Sequence, residues 1–478
     1  MDGFATASEM LRALRAHAVS AVELLELHQR RIARYNPVLN AIVAPDFARA
    51  REAATAADSA RAHGEDRALL GLPLTIKDCI YTQGLPTTGG VPERAHAVAD
   101  ADAPVAARVR AAGAVIMGHT NVPPYAADWQ SNNPVYGRSN NPWDLTRTPG
   151  GSTGGGAAAL AAGLTPLEFG GDFGGSIRVP AAFCGVFGHK PSETAVPRYG
   201  HFPGGMLPNA AVGMAVQGPL ARGAEDLELA LDVIAGPGIG EDVAWRLALP
   251  AARHATLAEY RVAVLPAIPW APVEPDILAA LDELVGRLTR AGVRVQVAQP
   301  EKFGDLREYY KTYLSIMFAI SAAGQPEERR TRDAAELRAS GDEFLAAAAR
   351  GNEASASDYI AWFGAREAYR AAYRTFFGEW DVLLAPANIV NAFPHGAEGF
   401  QDASGQPISY MLQGVYPSLC NLSGQPGTAF PVGQTPAGLP IGLQAIGPYL
   451  EDRTPVRFAA LVAREFGGYQ RPAGYDEV

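Results

Sequence analysis

The amino-acid sequence predicts one large α/β domain, a mixed sheet flanked by helices. Short apolar segments typical of strands alternate along the chain with helical stretches, which is the rhythm of α/β proteins. Of the 478 residues, 48% are hydrophobic and 19% are charged, so the chain can bury a large core and is not a disordered one. No internal repeat or polar linker divides the sequence, and residues 1–478 are therefore predicted to form a single domain.

The N-terminal residues 1–62 are predicted to be helical. Thr6–Glu9 and Ser20–Glu23 each place a glutamate three positions after a hydroxyl residue, the capping-box pattern that begins a helix. The second of these helices is predicted to end at Asn36-Pro37, because proline lacks the backbone N–H that a helix needs. A third helix, rich in Ala and Arg, is predicted over Phe47–Ala62.

Strand and helix patterns alternate through the rest of the chain, with a core over residues 71–235 and a helical insertion over residues 300–378. The predicted strands are Leu72–Ile76, Ala114–Met117, Val262–Leu265, Val293–Val297 and Asp381–Ala385, with two more inside Asn421–Gly447. The predicted helices are Ala103–Ala112, Gly155–Gly163, Pro275–Ala291 and Pro455–Phe466, with several more inside Asp305–Phe377.

Composition disfavours several classes of function. The formal net charge is −10 and the isoelectric point is near 5.5, so no basic surface for nucleic acid or an anionic membrane is expected. The three cysteines are too few and too scattered for a disulfide framework or a zinc site, and no metal is expected. Acidic residues interrupt the first thirty positions, and no apolar segment reaches 18 residues. We therefore expect a cytoplasmic protein without nucleic-acid or membrane partners.

Two serines lie in glycine-rich loops, inside a loop-rich stretch from Gly118 to Gly218. Ser152 belongs to Pro149–Gly156, and Ser176 belongs to Gly170–Arg178. Glycines beside a hydroxyl let backbone N–H groups converge on a small anionic centre, as an oxyanion hole or a phosphate cradle requires. Neither loop ends in the Gly-Lys-Ser/Thr of a phosphate-binding P-loop, so nucleotide binding is disfavoured.

Gly150–Gly154 also matches the Gly-x-Ser-x-Gly pattern of an α/β-hydrolase nucleophile elbow. That elbow follows an apolar strand. Here the segment before the serine loop is Asn141–Pro149, which is polar and contains prolines and therefore cannot be such a strand. A further element, Gly71-Leu-Pro-Leu-Thr-Ile-Lys77-Asp78, is a short apolar strand that ends in a lysine. Burial removes the hydration of a lysine and lowers its pKa, so Lys77 is a candidate general base.

Together these three elements resemble the amidase signature family of serine hydrolases. The family's hallmarks are a Gly-x-Pro-x-x-x-Lys-Asp strand end, a Pro-Gly-Gly-Ser-Ser/Thr-Gly-Gly loop and a nucleophile loop, present here as Asp172–Pro191. Ser152 and Ser176 are 24 positions apart (176 − 152), as in the family. The resemblance covers nearly the whole chain, including Asn421–Gly427 and Leu439–Gln444 near its end. It implies a large mixed sheet flanked by helices and hydrolysis of carboxylic amide C–N bonds without a cofactor.

The resemblance also implies the catalytic roles. Ser176 would be the nucleophile, Ser152 the bridging serine in a cis peptide bond, and Lys77 the base that draws a proton through Ser152. The oxyanion hole would be formed by the backbone N–H groups of Phe173, Gly174, Gly175 and Ser176. Asp172, Arg178 and Thr153 would support these groups, with binding of a substrate carboxylate as the alternative for Arg178.

The substrate is predicted to be an aryl or hydrophobic amide, with carbamates and esters also accepted. The segment carrying Tyr125, Trp129 and Gln130 is expected to contribute to the substrate pocket, with core packing as the alternative. The aromatic residues from Tyr309 to Phe318 occupy helical spacing and are open to both readings, core and pocket wall. Phe173 departs from the family pattern, which usually has a threonine or a β-branched residue at that position.

The same motifs leave three alternative functions open. A glutamine-hydrolysing subunit of an amidotransferase carries these motifs but works within an assembly. A membrane-bound lipid amidase is a weaker alternative, because no membrane segment is present in the sequence. A catalytically silent binding protein is the alternative of another class. The partner expected in every enzymatic reading is a small amide, and a homodimer is left open.

Overall fold

A computed structural model describes residues 1–476 as a mixed α/β fold, which confirms the predicted fold class. The helices before the second half of the chain are α1 (Ala7–Arg15), α2 (Ala21–Leu39), α3 (Phe47–Ala62), α4 (Pro104–Ala111), α5 (Gly154–Ala161), α6 (Arg178–Cys184) and α7 (Ala224–Ile234). Those that follow are α8 (Pro275–Arg290), α9 (Arg307–Ala322), α10 (Glu327–Ala339), α11 (Glu343–Asn352), α12 (Ala356–Glu379), α13 (Val415–Asn421) and α14 (Arg453–Phe466).

The strands are mostly short and buried. They are β1 (Ile42–Pro45), β2 (Pro73–Lys77), β3 (Val115–Thr120), β4 (Asn132–Asn133), β5 (Gly137–Arg138), β6 (Leu167–Asp172), β7 (Phe187–Lys190), β8 (Val216–Ala221), β9 (Arg261–Val264), β10 (Arg294–Val297), β11 (Val382–Pro386), β12 (Gly399–Gln401), β13 (Pro407–Ser409), β14 (Gly427–Gln434) and β15 (Pro440–Ile446). Within residues 1–476, eleven of them form one sheet in the order β1-β3-β2-β6-β8-β7-β14-β15-β11-β9-β10.

The sheet is antiparallel at its centre, with parallel pairs on either side of the antiparallel part. β2 runs parallel to both β3 and β6, and β9 runs parallel to both β10 and β11. The remaining neighbours are antiparallel. Because β2 and β6 are parallel neighbours, their carboxyl ends lie at the same edge of the sheet, and this brings Lys77 and Asp172 together.

Helix α2 differs from the prediction, because it continues through Pro37 and ends at Leu39. Pro37 lies in the last turn of the helix and removes one backbone donor there. Beyond the end of the helix, the Asn36 side-chain oxygen accepts from the N–H groups of Ala41 and Ile42, each at 2.9 Å. Asn40 closes the helix in the left-handed conformation, with φ 48°.

Helices α9 to α12 occupy the stretch predicted to hold several helices. Tyr309, Tyr310 and Tyr313 of α9 are buried in the apolar core on this side of the sheet, so core packing accounts for these three rings. Met317 and Phe318 are partly buried against the same core. Within residues 1–476, no helix combines the length and the apolar character needed to cross a lipid bilayer.

Candidate active site

Lys77, the last residue of β2, is buried, with 1% of its surface exposed. Its Nζ donates to Ser152 Oγ at 2.7 Å and lies 3.5 Å from the carbonyl oxygen of Gly171. Burial lowers the pKa of Lys77, because a charged ammonium loses its hydration there. A lysine with a lowered pKa that contacts a hydroxyl can accept a proton from that hydroxyl.

Ser152 follows a cis peptide bond between Gly151 and Ser152, the bond that the resemblance implies. Gly151 packs closely against the preceding loop, since a Cβ at this position would lie 2.5 Å from the carbonyl oxygen of Asp128. Gly150 has φ +84°, a conformation that favours glycine. The glycines before Ser152 therefore allow the serine loop to pass close to residues 128–130.

Ser176 lies in the loop between β6 and α6 and is 8% exposed. The two serine loops are joined by a backbone hydrogen bond from Thr153 N–H to the carbonyl oxygen of Ser176, at 3.1 Å. In the described part of the chain, no hydrogen bond joins the hydroxyls of Ser152 and Ser176. The structure thus shows the lysine–serine contact directly and places the second serine's loop beside it.

Asp172, at the end of β6, organises the nucleophile loop. Its carboxylate accepts from the backbone N–H groups of Gly175 at 3.0 Å and Ile177 at 3.2 Å, and from the Asn421 side chain at 2.9 Å. Burial opposes the charge, but the Arg178 guanidinium holds the pKa of Asp172 well below its usual range. A charged carboxylate with this many donors fixes the path of the loop.

Arg178 is fully buried, and each of its three guanidinium nitrogens donates a hydrogen bond. Two of them bind the Asp172 carboxylate at 3.0 Å, and Nη1 donates to Gln444 Oε1 at 2.6 Å. Nη2 also donates to Asn421 Oδ1 and to the carbonyl oxygen of Pro417. All of these acceptors belong to the protein itself, and none of the Arg178 surface is exposed.

The predicted oxyanion hole has four backbone donors, and one of them is already engaged. Gly175 N–H donates to Asp172 in this structure. Among the described residues, the N–H groups of Phe173, Gly174 and Ser176 have no hydrogen-bond acceptor. These three N–H groups are therefore free to donate to a further acceptor.

Two aromatic side chains hold the carbonyl groups of the same loop. The Tyr313 hydroxyl on α9 donates to the carbonyl oxygen of Phe173 at 3.1 Å, and Trp129 Nε1 donates to that of Gly174 at 2.8 Å. In a planar trans peptide the N–H and C=O point in opposite directions. Fixing the Phe173 carbonyl therefore fixes the direction of the Gly174 N–H, which is one of the free donors.

The three residues predicted to line the substrate pocket have different surroundings. Trp129 contacts the nucleophile loop and packs against Tyr410, with ring centroids 5.7 Å apart. Gln130 binds the backbone of residues 396 and 397 through its amide. Tyr125 is 48% exposed and packs on Phe202 at 5.7 Å. Of the three, Trp129 is the one that contacts the nucleophile loop in the described structure.

Sequence reasoning gave no role to several residues that surround the site. Asn421 and Gln444 lie in two segments that match the family pattern, and this match was the one signal in the sequence that could have pointed to them. Tyr313 was one of several aromatic residues at helical spacing, a pattern that did not indicate a contact with the nucleophile loop. Glu168 lies between the apolar residues Leu167 and Phe169 of strand β6, and a charged residue in that position is a signal that could have been used.

Comparison with known proteins identifies the class that this fold and site define. The family described as Amidase matches residues 23–455 of the chain. The protein belongs to the amidase signature family, as its motifs and fold predict.

The relatives of the chain include both hydrolases and a component of an amidotransferase. It is 32% identical over 467 residues to a glutamyl-tRNA(Gln) amidotransferase subunit of Chromohalobacter salexigens, covering 94% of this chain and 93% of that one. It is 33% identical over 456 residues to the indoleacetamide hydrolase of Bradyrhizobium diazoefficiens, covering 94% and 84%. The structure of 6-aminohexanoate cyclic dimer hydrolase superposes with a TM-score of 0.80 at 27% identity, covering 99% of both chains.

Proposed function

We propose that the protein is a serine hydrolase that cleaves amide C–N bonds by itself, with Ser176 as nucleophile, Ser152 as bridging serine and Lys77 as base. The observation that carries this proposal is the 2.7 Å contact between the buried Lys77 Nζ and Ser152 Oγ, beside the glycine loop that contains Ser176. Family membership supports the same chemistry.

The proposed reaction transfers a proton at each of two steps along this chain of groups. Neutral Lys77 accepts the proton of Ser152, Ser152 accepts the proton of Ser176, and the Ser176 oxygen attacks the amide carbonyl. The oxyanion that forms is stabilised by the free N–H groups of Phe173, Gly174 and Ser176. The relay then returns the proton to the leaving amine, and water hydrolyses the acyl-enzyme by the same steps.

The surroundings of the loop favour aromatic or hydrophobic substrates. Trp129 touches the loop, Tyr410 packs against Trp129, and Phe173 belongs to the loop itself. An apolar pocket gains about 25 cal/mol for each Å² of substrate surface removed from water. Arg178, the cation nearest to the nucleophile in sequence, is buried and occupied. We therefore propose anilides and aryl esters as good substrates, with carbamates of aromatic amines also accepted.

A second candidate function is glutamine hydrolysis within an amidotransferase. It is supported by the 32–34% identity to glutamyl-tRNA(Gln) amidotransferase subunits over more than nine-tenths of the chain. In that case the ammonia would pass to a partner, and the purified chain would hydrolyse glutamine in preference to anilides.

A hydrolysis panel with the purified chain separates the two. The panel contains an aryl-acid nitroanilide, an aryl ester, an N-aryl carbamate and glutamine, with the Ser176→Ala variant as the blank. We expect kcat/KM for the nitroanilide to exceed that for glutamine by more than about tenfold, which is about 1.4 kcal/mol in transition-state binding. Glutamine turnover above nitroanilide turnover by the same factor would favour the amidotransferase function and contradict the apolar pocket.

A further inference from the structure

Glu168 on β6 is a fully buried carboxyl group that the proposed mechanism does not use. Its two oxygens each accept a hydrogen bond from a threonine hydroxyl, one from Thr75 at 2.5 Å and one from Thr120 at 2.6 Å. An acid with none of its surface exposed is rare unless its surroundings are built for it. The two threonines lie on the neighbouring strands β2 and β3, not on β6 itself.

The pairing of these strands places the carboxyl beside Lys77. Thr75 is the register partner of Glu168 across β2 and β6, and Thr120 is the partner of Lys77 across β2 and β3. Thr75 and Lys77 are two residues apart on β2 and face the same side of the sheet. To reach Thr120 from β6, the Glu168 side chain crosses over β2, in the row of side chains that contains Lys77.

The helix above this row leaves room for the carboxyl. A Cβ at Gly156 of α5 would lie 2.5 Å from Glu168 Cγ and 2.6 Å from Oε1, so the absence of a side chain there makes the space. The same helix begins two residues after Ser152. Two threonine donors, and the space left at Gly156, thus hold the Glu168 carboxyl group close to the loop that contains Ser152.

Three other ionisable groups near Lys77 are paired or neutral, namely Asp172, Cys79 and His201. Asp172 is paired with Arg178. Burial raises the pKa of the Cys79 thiol to about 12 and lowers the pKa of His201 to about 3, so both are uncharged near neutral pH. The remaining acids that face this region are Asp78, which accepts from Thr88 and lies 3.4 Å from His119, and Glu168. Burial raises the pKa of Glu168 to about 7, so its charge changes near neutral pH.

We propose that Glu168 is a positioning residue that sets the protonation balance of Lys77, and the inference rests on the proposed role of Lys77 as base. When ionised, Glu168 favours the ammonium form of Lys77. It thus stabilises the charge that Lys77 gains when it takes the proton of Ser152. The same charge makes Lys77 hold its resting proton more tightly, so activity begins at a higher pH.

The two effects give the Glu168→Gln variant an unusual pH profile. Glutamine keeps the shape and can still bond both threonines, but it removes the charge. On the nitroanilide, we expect the acid limb of kcat/KM to move down by about one pH unit and the plateau kcat to fall by about tenfold, with KM changed by less than about threefold. The Glu168→Asp variant retains the charge, so its acid limb should stay near that of the wild type.

A buried acid elsewhere provides the control. Asp226 on α7 is buried and accepts from Ser8 and from backbone N–H groups of α1. Asp226→Asn should leave the acid limb in place. A Glu168→Gln profile with a lowered plateau but an unmoved acid limb would mean a packing role only and would overturn the inference. A wild-type enzyme without anilide activity would instead contradict the proposed function.

A second variant, Thr120→Val, tests the same proposal if Glu168→Gln does not fold. Thr120→Val removes one of the two donors that stabilise the ionised carboxylate at nearly constant volume. It should keep Glu168 neutral to higher pH and move the acid limb in the same direction. The rate at which a fluorophosphonate labels Ser176, measured against pH, gives the same acid limb without the need for turnover. An unmoved limb in folded Thr120→Val would also contradict the proposed role of Glu168.

Discussion

Lys77 combines two properties that a lysine base needs, loss of hydration and a single directed contact with a hydroxyl. Both follow from its position as the last residue of a buried strand between two other strands. Burial disfavours the ammonium form, and the pKa of Lys77 falls below its ordinary value. The neutral amine is therefore accessible at a pH at which an exposed lysine is charged.

The Lys77→Arg variant tests this role. Arginine keeps a positive charge and cannot lose its proton, so turnover of amides should fall by a factor of about 10²–10⁴. In the wild type, activity should rise with pH as Lys77 loses its proton. The midpoint of this rise should lie below the ordinary lysine pKa of about 10.4. The exposed Lys302→Arg serves as control and should retain full activity. Near wild-type amide turnover by Lys77→Arg would show that Lys77 is not the base.

The sequence predicted the residues that lie in motifs and missed those that act across long separations. Lys77, Ser152 and Asp172 stand in dense glycine, proline and charge patterns that local chemistry can interpret. Glu168 and Thr75 meet over 93 residues, and Tyr313 meets Phe173 over 140. No periodicity indicates such contacts, because they depend on which strands and helices become neighbours.

The loop between β6 and α6 is held by the start of α6 and by elements far from it in sequence. Arg178 of α6, Asn421 of α13 and Gln444 of β15 form one buried network with Asp172. Tyr313 of α9 and Trp129 donate hydrogen bonds to two carbonyl groups of the loop, those of Phe173 and Gly174. The helical insertion therefore contributes one hydrogen bond to the loop, although most of its aromatic residues belong to the core.

The Asp172→Asn variant should weaken this network. It leaves a buried guanidinium without its counter-charge, which typically costs about 3–5 kcal/mol of the free energy of unfolding. Because the pKa of Asp172 is lowered in the folded state, this stabilisation is present above the ordinary carboxyl pKa of about 3.9 and is lost as the pH falls through the lowered value. Urea unfolding at pH 7 measures the difference.

The matched control for Asp172→Asn is Asp144→Asn. Asp144 pairs with Arg147 at 3.1 Å, with about a third of each side chain exposed. Water screens such pairs, so the loss should stay under about 1 kcal/mol. Equal losses in the two variants would mean that the buried network does not determine the stability of the loop region.

Over the whole molecule, local pattern predicted the elements better than their arrangement. Phe47–Ala62 is a helix with the predicted bounds, and most other predicted elements lie within a few residues of the observed ones. The order of the eleven-stranded sheet in residues 1–476 could not be predicted from local pattern, since strand pairing is set by contacts distant in sequence. Helix α2 continues through Pro37 and ends at Leu39, with Asn40 in the left-handed conformation after it.

The most direct test of the proposed mechanism is covalent labelling with a fluorophosphonate, followed by mapping of the modified peptide. The wild type should carry one adduct on Ser176. Ser176→Ala should carry none and lack activity. Ser152→Ala should remain folded and be slowed by a factor of about 10²–10⁴, because it removes the relay but leaves the nucleophile. An adduct on Ser152 that survives Ser176→Ala, or a folded wild type that neither labels nor hydrolyses amides, would contradict the mechanism.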